Sequence, residues 1–248
     1  MTEPIRVVLA GASGRTGREV GKAILESSDI QLAGAIGHHQ AGKSVDAIWP
    51  GVKSEIIITV ELPHCDYPAV LVDFTEPESA FWRVLEAIGR GWHVVIGTTG
   101  FTADQRDAMA RQVADHGVGG ALIANFSLGA WLLEHLVQEA AQYFSEAELV
   151  EAHHPHKRDR PSGTAKRLAA MLARVWKKPQ DEIPIHAMRL PGMVAHQAVV
   201  FGAPGQILTV RHDVHDRSAY TAGVLQTIRR IDRFPGRLIQ DLGELVER

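Results

Sequence analysis

The sequence contains a single cysteine, Cys65, among its 248 residues. No intramolecular disulfide can therefore form, which fits a reducing compartment, and the expected role of Cys65 is that of a small apolar residue near a turn. No apolar stretch approaches the ~18 residues that a membrane-spanning helix needs. The first residues carry neither a basic stretch nor the small-residue cleavage site of a signal peptide. We therefore expect a cytoplasmic protein.

The sequence also has little excess charge, with a formal net charge of −3. This balance gives no general electrostatic reason to expect binding to nucleic acid or to an anionic membrane. Hydrophobic residues make up 45% and charged residues 22%, as in an ordinary globular protein. The 13 histidines are numerous for this length, and several stand in pairs. A small-molecule enzyme or binding protein is the class that remains.

The first half of the chain alternates short apolar runs with segments of helical periodicity. The predicted strands are 5–10, 30–36, 56–60, 69–74, 92–96 and 121–124. The predicted helices are 14–25, 77–90 and 102–116, and the polar stretch 37–54 is predicted to be a loop. Buried strands that alternate with helices at this spacing predict a Rossmann-type, doubly wound parallel sheet in an α/β fold.

The second half has a different pattern. Its predicted elements are helices at 128–143 and 162–176 and strands at 146–153 and within 185–213, where Pro-Gly turns separate three runs. The tail from about residue 219 has Leu225, Ile228 and Ile231 on one helical face. We therefore predict a dinucleotide-binding domain of residues 1–126 plus about 219–248. Residues 127–218 are predicted to form an α+β substrate-binding and oligomerisation domain with an open mixed sheet.

A glycine-rich segment follows the first predicted strand and opens the first predicted helix. Its residues are Gly11, Ala12, Ser13, Gly14, Arg15, Thr16 and Gly17. Glycines in this context let the backbone approach a pyrophosphate at the positive end of a helix, so the segment predicts a dinucleotide site. The alternative is a glycine-rich turn in another α/β protein, because the spacing is a variant of the usual G-x-G-x-x-G.

The second predicted strand ends without the carboxylate that usually holds the ribose of NAD. It ends instead in Gly37, His38 and His39. Cationic groups from His38, His39, Lys43 and Arg15 can meet a 2′-phosphate, which favours NADP or the use of both nucleotides. A solvated histidine pair in a loop is the alternative.

Two further segments stand at the carboxyl ends of predicted parallel strands, where open α/β sheets bind their ligands. One is Gly97-Thr98-Thr99-Gly100, and the other is Asn125-Phe126-Ser127. Small residues and backbone amides at these positions are suited to line a nicotinamide. Either segment alone is also compatible with a simple turn.

The segment 151–165 concentrates positive charge. Between His153 and Arg160 it holds three histidines, one lysine and two arginines against the single acid Asp159. Pro161 and Ser162 then begin a helix whose N-terminal amides, together with Thr164, favour an anion. Histidine also exchanges protons near neutral pH. A reductase of an anionic substrate needs cationic side chains that bind it. It also needs an acid that protonates the atom left electron-rich by hydride addition.

Two alternatives remain for the same segment. One is a solvated loop. The other is a metal site, since His154 and His156 fall on one side of an extended segment while His212 and His215 lie elsewhere. No carboxylate or cysteine completes a recognisable ligand spacing, so no metal is predicted.

Five motifs together resemble the dihydrodipicolinate reductase family. They are GASGRTG at the N-terminus, VDFTEPE at 72–78, VIGTTGF at 95–101, IANFSLG at 123–129 and EAHHPHKRDRPSGTA at 151–165. The later stretch RLPGMVAHQAVVFGAPGQILTVRHD is similar to the shorter version of that region in the family. The resemblance covers nearly the whole chain, and the HHxHKxDxPSGTA stretch is the most specific part.

The resemblance implies NADPH- or NADH-dependent reduction of a small cyclic dicarboxylate, 4-hydroxy-tetrahydrodipicolinate, in lysine and diaminopimelate biosynthesis. His153 is then the proton donor or acceptor and Lys157 the second catalytic cation. The implied substrate contacts are His154, Ser162, Gly163 and Thr164. The implied cofactor contacts are Gly11, Ala12, Ser13, Gly14, Arg15, Thr16, His38, Gly97, Thr98, Thr99, Ile123, Ala124, Asn125 and Phe126. Members of the family are usually homotetramers joined through the sheet of the second domain.

The chain departs from this family at Gly37-His38, where relatives carry a Glu-Arg pair, so the choice between NADPH and NADH stays open. Three other functions are compatible with parts of the sequence. They are an amino-acid dehydrogenase, a non-catalytic NADPH-sensing regulator on the same fold, and a zinc-dependent hydrolase. The combination of PSGTA with HHPHK argues against the first, and the full set of cations and acids argues against the second.

Overall fold

The computed structural model describes residues 3–64 and 69–246. Two compact units make up the chain. One comprises Met1–Ser127 with Tyr220–Arg248, and the other comprises Leu128–Ala219. The expectation for Cys65 lies outside the described residues.

The elements follow one another in a simple order along the chain. The strands are β1 (Ile5–Ala10), β2 (Ile30–Ile36), β3 (Ile58–Thr59), β4 (Val70–Asp73), β5 (His93–Ile96), β6 (Gly120–Leu122), β7 (Ala147–His153), β8 (Ile185–Arg189), β9 (Ala195–Ala203), β10 (Gln206–Val214) and β11 (Leu238–Ile239). The α-helices are α1 (Arg15–Leu25), α2 (Val45–Ile48), α3 (Pro77–Gly89), α4 (Ala103–His116), α5 (Leu128–Ala140), α6 (Gly163–Trp176), α7 (Thr221–Arg230) and α8 (Gly243–Val246).

The first unit contains a seven-stranded sheet with the order β11-β6-β5-β4-β1-β2-β3. All of its neighbouring strands pair in parallel. Central strands such as β4 are buried along their whole length, which explains their unbroken apolar sequence. The predicted Rossmann-type parallel sheet is confirmed. Its carboxyl ends are the positions at which open α/β sheets bind ligands.

Local sequence signals set the ends of two helices in this unit. Thr102 caps α4 through a reciprocal capping box with Gln105, and Gly117 ends the helix in the left-handed region at φ 65°. Pro77 stands at the first turn of α3, where its missing N–H costs no hydrogen bond. The predicted starts of α3 and α4 are confirmed. They could be predicted because helix capping depends on residues close together in the sequence.

The stretch 37–54 is not entirely a loop. It contains the short helix α2, followed by Trp49, whose side chain is fully buried. The prediction was wrong here because a four-residue helix has no periodicity to detect. The contacts of Trp49 with distant residues, described below, fix this segment.

The second unit contains a four-stranded sheet in the order β10-β9-β7-β8. Strands β7 and β8 pair in parallel, while β7–β9 and β9–β10 are antiparallel. The predicted open mixed sheet is therefore confirmed. One face packs against α5 and α6 in an apolar core that includes Leu149, Leu172 and Phe201.

The tail after the second unit belongs to the first. Helix α7 packs against α1, and β11 extends the parallel sheet beyond β6. Arg229 pairs with Asp29 at 2.7 Å. Of the three residues predicted to share one helical face, Ile228 in α7 and Ile231 just after its end are buried, while Leu225 is only partly buried. Strand β11 was not predicted, because two residues carry no pattern. None of the helices within the described ranges is long and apolar enough to cross a membrane.

Candidate active site

The glycine-rich segment forms a tight turn between β1 and α1. Gly11 has a φ of +85°, and a Cβ atom there would lie 2.5 Å from the carbonyl oxygen of Phe74. A Cβ on Gly17 would lie 2.1 Å from the carbonyl oxygen of Gly11. Only glycine fits these two positions. Gly11 packs against the backbone after β4, and Gly17 of α1 packs against the turn itself.

The first turn of α1 is suited to an anion. Gly14 is its N-cap and provides no side-chain oxygen to the helix amides. The first N–H groups of a helix have no partner within it, and the helix dipole is positive there. Arg15 is exposed beside this turn and Thr16 is half-buried. These residues can therefore hold the pyrophosphate of a dinucleotide.

The end of β2 lies beside the same turn. A Cβ on Gly37 would lie 3.1 Å from the hydroxyl oxygen of Ser13. His38 and His39 follow, both exposed, with their rings in an edge-to-face contact at 5.6 Å. Lys43 is exposed as well. Two imidazoles and an amine are therefore exposed after the end of β2.

The end of β5 is held by a network of hydrogen bonds that centres on Asp73. This carboxylate is fully buried and pairs with Arg83 at 2.5 Å. Its Oδ1 also accepts from the hydroxyls of Thr75, at 2.6 Å, and of Thr98, at 2.8 Å. The Thr98 hydroxyl also accepts from the backbone N–H of Thr75 at 2.8 Å, and the Thr98 N–H donates to the carbonyl oxygen of Asp73, so Thr98 is held by the network on both its side chain and its backbone. Thr99 is exposed.

Two phenylalanines connect the ends of neighbouring strands. The rings of Phe74 and Phe126 meet edge to face at 5.8 Å. A Cβ on Gly97 would lie 2.0 Å from the Phe74 ring. Ile123 continues from β6 and donates its N–H to the carbonyl of Ile96. The structure thus brings 97–99 and 123–126 to one edge of the first unit's sheet.

Asn125 and Ala124 complete this edge. The side-chain oxygen of Asn125 accepts from the N–H of Ser127 at 3.0 Å, and Ala124 is exposed. A Cβ on Gly223 of α7 would lie 2.0 Å from the carbonyl oxygen of Phe126. The tail of the chain, which the sequence placed with the first domain, packs against the backbone at the end of β6, and this particular contact was not predicted.

The second unit gathers the residues of the cationic segment. His153 ends β7, with a side chain that is 15% exposed. Its Nδ1 forms a short hydrogen bond with Oε2 of Glu151, a carboxylate that is fully buried. Oε1 of Glu151 accepts from Nη2 of Arg189 at 2.9 Å and from the backbone N–H of Ser162 at 3.3 Å. Arg189 was missed by the sequence analysis, which assigned no role to Glu151 either.

The loop after β7 carries the second predicted catalytic residue. Nζ of Lys157 pairs with Oδ1 of Asp159 at 2.8 Å, and the Lys157 side chain is 25% exposed. The pKa of Asp159 is lowered, mainly by the hydrogen bond from Lys157. His154 and His156 are exposed in this loop, with ring centroids 6.2 Å apart.

Helix α6 begins directly after the loop. Ser162 is its N-cap, and the Ser162 hydroxyl accepts from the N–H of Ala165 at 3.2 Å. Gly163 is exposed and Thr164 half-buried, and a Cβ on Gly163 would meet nothing within 4 Å. The backbone of Gly163 donates a hydrogen bond to Asp159, and Lys157 lies on the loop that leads into the helix.

Burial lowers the pKa of His153, and the nearby charges of Lys157 and Arg189 lower it too. The Glu151 carboxylate opposes this effect. The balance favours a neutral imidazole at neutral pH. Because a carboxylate only accepts hydrogen bonds, Nδ1 carries the proton and Nε2 has a free lone pair.

The histidines considered for a metal site are placed differently. His212 packs against Gly129 of α5, while the rings of His196 and His215 meet at 5.7 Å. Nδ1 of His196 pairs with Asp213 at 2.7 Å. Within the part of the chain that the structure describes, His, Cys, Asp and Glu side chains form no group of three or more able to hold a metal ion.

A parallel sheet with a glycine turn, joined in one chain to a mixed-sheet unit with a histidine–lysine site, defines the class of NAD(P)H-dependent oxidoreductases. The family comparison is specific. Residues 5–126 match the model described as Dihydrodipicolinate reductase, N-terminus, and residues 129–241 match Dihydrodipicolinate reductase, C-terminus. The chain belongs to the dihydrodipicolinate reductase family.

Individual relatives agree with this assignment. The chain is 40% identical to the 4-hydroxy-tetrahydrodipicolinate reductase of Synechococcus sp. (strain CC9902), over 93% of this chain and 95% of the relative. It is 36% identical to that of Moorella thermoacetica (strain ATCC 39073 / JCM 9320), over the full length of both. The family and reductase predictions are confirmed, and the comparisons favour neither the amino-acid dehydrogenase nor the regulator.

Solved structures share the fold. The structure of dipicolinate-bound dihydrodipicolinate reductase from Paenisporosarcina sp. TG-14 matches with a TM-score of 0.82 and 30% identity, covering 98% of this chain and 100% of the other. An amine dehydrogenase from Mycobacterium smegmatis matches with a TM-score of 0.66 at 12% identity, over 95% and 94% of the two chains. The second likeness concerns the fold alone.

Proposed function

We propose that this protein reduces 4-hydroxy-tetrahydrodipicolinate to tetrahydrodipicolinate with NADPH or NADH, with loss of the 4-hydroxy group as water, in lysine and diaminopimelate biosynthesis. Its relatives are named as reductases of this substrate. The observation that carries the proposal is the joining of His153, Lys157 and the N-terminus of α6 within one small part of the second unit. A cyclic dicarboxylate needs such cationic groups and helix amides for its carboxylates. The dipicolinate-bound relative holds a molecule of this chemical class.

The cofactor would be held by the first unit. The turn from Gly11 to Thr16 and the first turn of α1 fit a pyrophosphate, because two glycines there leave no room for a Cβ. The residues at 97–99 and 123–126 would line the nicotinamide, with His38 near the ribose. When bound, the reduced nicotinamide supplies a hydride to the ring of the substrate. The cationic groups around His38 are compatible with NADPH, and small residues such as Gly37 do not exclude NADH.

The substrate would be held by the second unit. Lys157, His154, the backbone amides of Gly163 and Thr164 and the hydroxyls of Ser162 and Thr164 would bind its carboxylates. The N–H of Ser162 is not available for this, because it donates to Glu151. The Lys157 ammonium is then suited to donate the balancing proton, since it has three N–H donors. The neutral His153 is suited to accept or relay a proton at Nε2. Both side chains would thus take part in the proton transfer that accompanies hydride addition.

The test is an assay with freshly prepared substrate that follows loss of nicotinamide absorbance, with NADH and NADPH in parallel. We expect His153→Ala to lower mainly kcat, and Lys157→Ala to lower kcat and raise KM, each by roughly 10²–10⁴-fold in kcat. His116→Ala on the exposed end of α4 is the control and should leave both constants unchanged. A double variant of His153 and Lys157 that turned over at the wild-type rate would refute the site.

We also propose that the protein is a cytoplasmic homotetramer assembled through the sheet of the second unit. Helices α5 and α6 pack on one face of that sheet, while the other face presents Met188, 40% exposed, and Ile207, 75% exposed. These residues stand on the two edge strands of the sheet and would be covered in such an assembly. Light scattering of the purified protein tests the assembly, and Ile207→Asp should shift it to smaller species.

A further inference from the structure

Glu151 is a buried carboxylate at the centre of the proposed catalytic segment. It lies two residues before His153 on β7, so the two side chains point to the same face of the strand. Three groups donate to it: Nδ1 of His153, Nη2 of Arg189 and the N–H of Ser162. Each donor belongs to a different element, namely β7, β8 and the start of α6.

The two carboxylate oxygens of Glu151 accept hydrogen bonds from different donors. Oε2 accepts from the His153 ring alone, whereas Oε1 accepts from Arg189 at 2.9 Å and from Ser162 at 3.3 Å. Because the carboxylate cannot donate, it selects the Nδ1–H form of the imidazole. The same residue therefore orients a catalytic ring and anchors the turn that presents Gly163 and Thr164.

Arg189 extends this network to the loop that carries Lys157. Arg189 is the register partner of His153 across the parallel pair β7–β8. Its Nη2 also donates to the carbonyl oxygen of Asp159 at 2.7 Å. Arg189 thereby holds the backbone of the loop, and the Lys157 side chain pairs with the Asp159 carboxylate on the same loop. A continuous chain of contacts thus connects Glu151 to both proposed catalytic side chains.

Structural stabilisation alone does not explain this arrangement. A buried ion pair is often no more stabilising than apolar residues of similar volume, because both charges lose their hydration. The Glu151 side chain is fully buried and that of Arg189 is 10% exposed. Retaining both charges here is better explained by the geometry that they impose on His153, Lys157 and the α6 N-terminus.

We propose that Glu151 and Arg189 form a positioning pair, in which Glu151 holds His153 in the Nδ1–H form and Arg189 fixes the loop that carries Lys157. The effect of this pair on catalysis depends on the reductase activity proposed above. Neither residue is assigned a contact with substrate. Both act through their neighbours.

The decisive measurement is the protonation of the His153 ring by nitrogen NMR on the intact protein at mildly alkaline pH. The His153 signal is assigned by its loss in His153→Asn. We expect the wild-type ring to carry its proton on Nδ1, and Glu151→Gln to move it to Nε2, because the amide can donate to Nδ1. A wild-type ring protonated on Nε2 would overturn the proposal, even if Glu151→Gln failed to fold.

The kinetic test uses the same variants. Glu151→Gln should lower kcat by on the order of 10²-fold or more with a much smaller change in KM, since a misplaced or wrongly protonated base affects the chemical step. Arg189→Lys keeps the charge but loses the planar fork, so we expect it to lower kcat and also raise KM by displacing the Lys157 loop. Unchanged kcat and an unchanged ring proton in Glu151→Gln would refute the pair.

Glu148→Gln is the matched control. Glu148 lies on the same strand with its side chain on the other face, exposed and paired with His186. It should change neither the ring proton of His153 nor kcat. The NMR measurement needs no substrate. It therefore tests the Glu151–Arg189 pair independently of the proposed reductase function. A wild-type protein with the expected ring proton but no reductase activity would refute the proposed function and leave the placement of His153 by Glu151 intact.

Discussion

The indole Nε1 of Trp49 donates a hydrogen bond of 2.9 Å to the carbonyl oxygen of Ala12, 37 residues earlier in the chain. Trp49 is fully buried, and a Cβ on Gly21 of α1 would lie 2.0 Å from its ring. One side chain thus ties the glycine turn, helix α1 and the segment after α2 together. The turn is held in shape by a residue that no dinucleotide motif includes.

Trp49→Phe should therefore weaken both folding and cofactor binding. The phenyl ring keeps the apolar contact but leaves the buried Ala12 carbonyl without this donor, which costs about 1–3 kcal/mol of unfolding free energy. Urea unfolding measures the loss, and calorimetric titration with NADPH and NADH measures the affinity. Trp82→Phe is the control, because Trp82 is 71% exposed. Equal midpoints for the two variants would contradict the role of Trp49.

A second prediction concerns the end of β5. Gly97→Ala places a methyl group 2.0 Å from the ring of Phe74, which packs on Phe126. We expect a loss of about 1–3 kcal/mol in unfolding free energy from overpacking, together with weaker nucleotide binding. Gly89→Ala on α3 meets nothing within 4 Å, so it should be neutral or stabilising by about 0.4–1 kcal/mol. The prediction fails if both variants unfold at the same urea concentration.

The stability of the first unit should depend on the protonation of His93. Nδ1 of His93 accepts the backbone N–H of Gly119 at 2.8 Å, so this nitrogen is unprotonated in the folded protein. Burial lowers the pKa of His93 below its ordinary value of 6.5, although the charge of Asp232 opposes this effect. As the pH falls below 6.5, the unfolded chain takes up the proton first, and stability falls until the lowered folded-state pKa is passed.

His93→Asn tests this dependence, because the amide oxygen of asparagine can accept the Gly119 N–H without titrating. The variant should lose less stability than the wild type when urea midpoints are compared at neutral and mildly acidic pH. The other histidines contribute equally to both proteins, so the difference isolates His93. His39→Asn is the control, since His39 is exposed. Identical pH slopes in the wild type and His93→Asn would contradict the prediction.

The ion pair between Lys157 and Asp159 should compete with substrate. Lys157 is proposed to bind a substrate carboxylate, yet its Nζ is 2.8 Å from the Asp159 carboxylate. Asp159→Asn removes that competing charge and keeps the backbone carbonyl that Arg189 uses. We therefore expect a lower KM for substrate and tighter binding of dipicolinate. A raised KM would show instead that Asp159 is needed to hold Lys157 in place.

Several elements of the fold are set by patterns among neighbouring residues. The capped start of α4 at Thr102, the proline at the start of α3 and the alternation along β7 depend on neighbouring residues, so the sequence predicted them. The segments that carry the candidate site also followed from the sequence, because glycines after a strand and cations before a helix are local patterns.

The sequence by itself thus determined the longer helices and strands, the two kinds of sheet and the family, but not the short elements α2 and β11. Only the tertiary structure decided the partners that hold the site: Trp49 on Ala12, Asp73 on Thr98, and Arg189 on Glu151. These pairs are 37, 25 and 38 residues apart. No periodicity or motif connects residues at such separations, because the contacts exist only once strands and helices have packed.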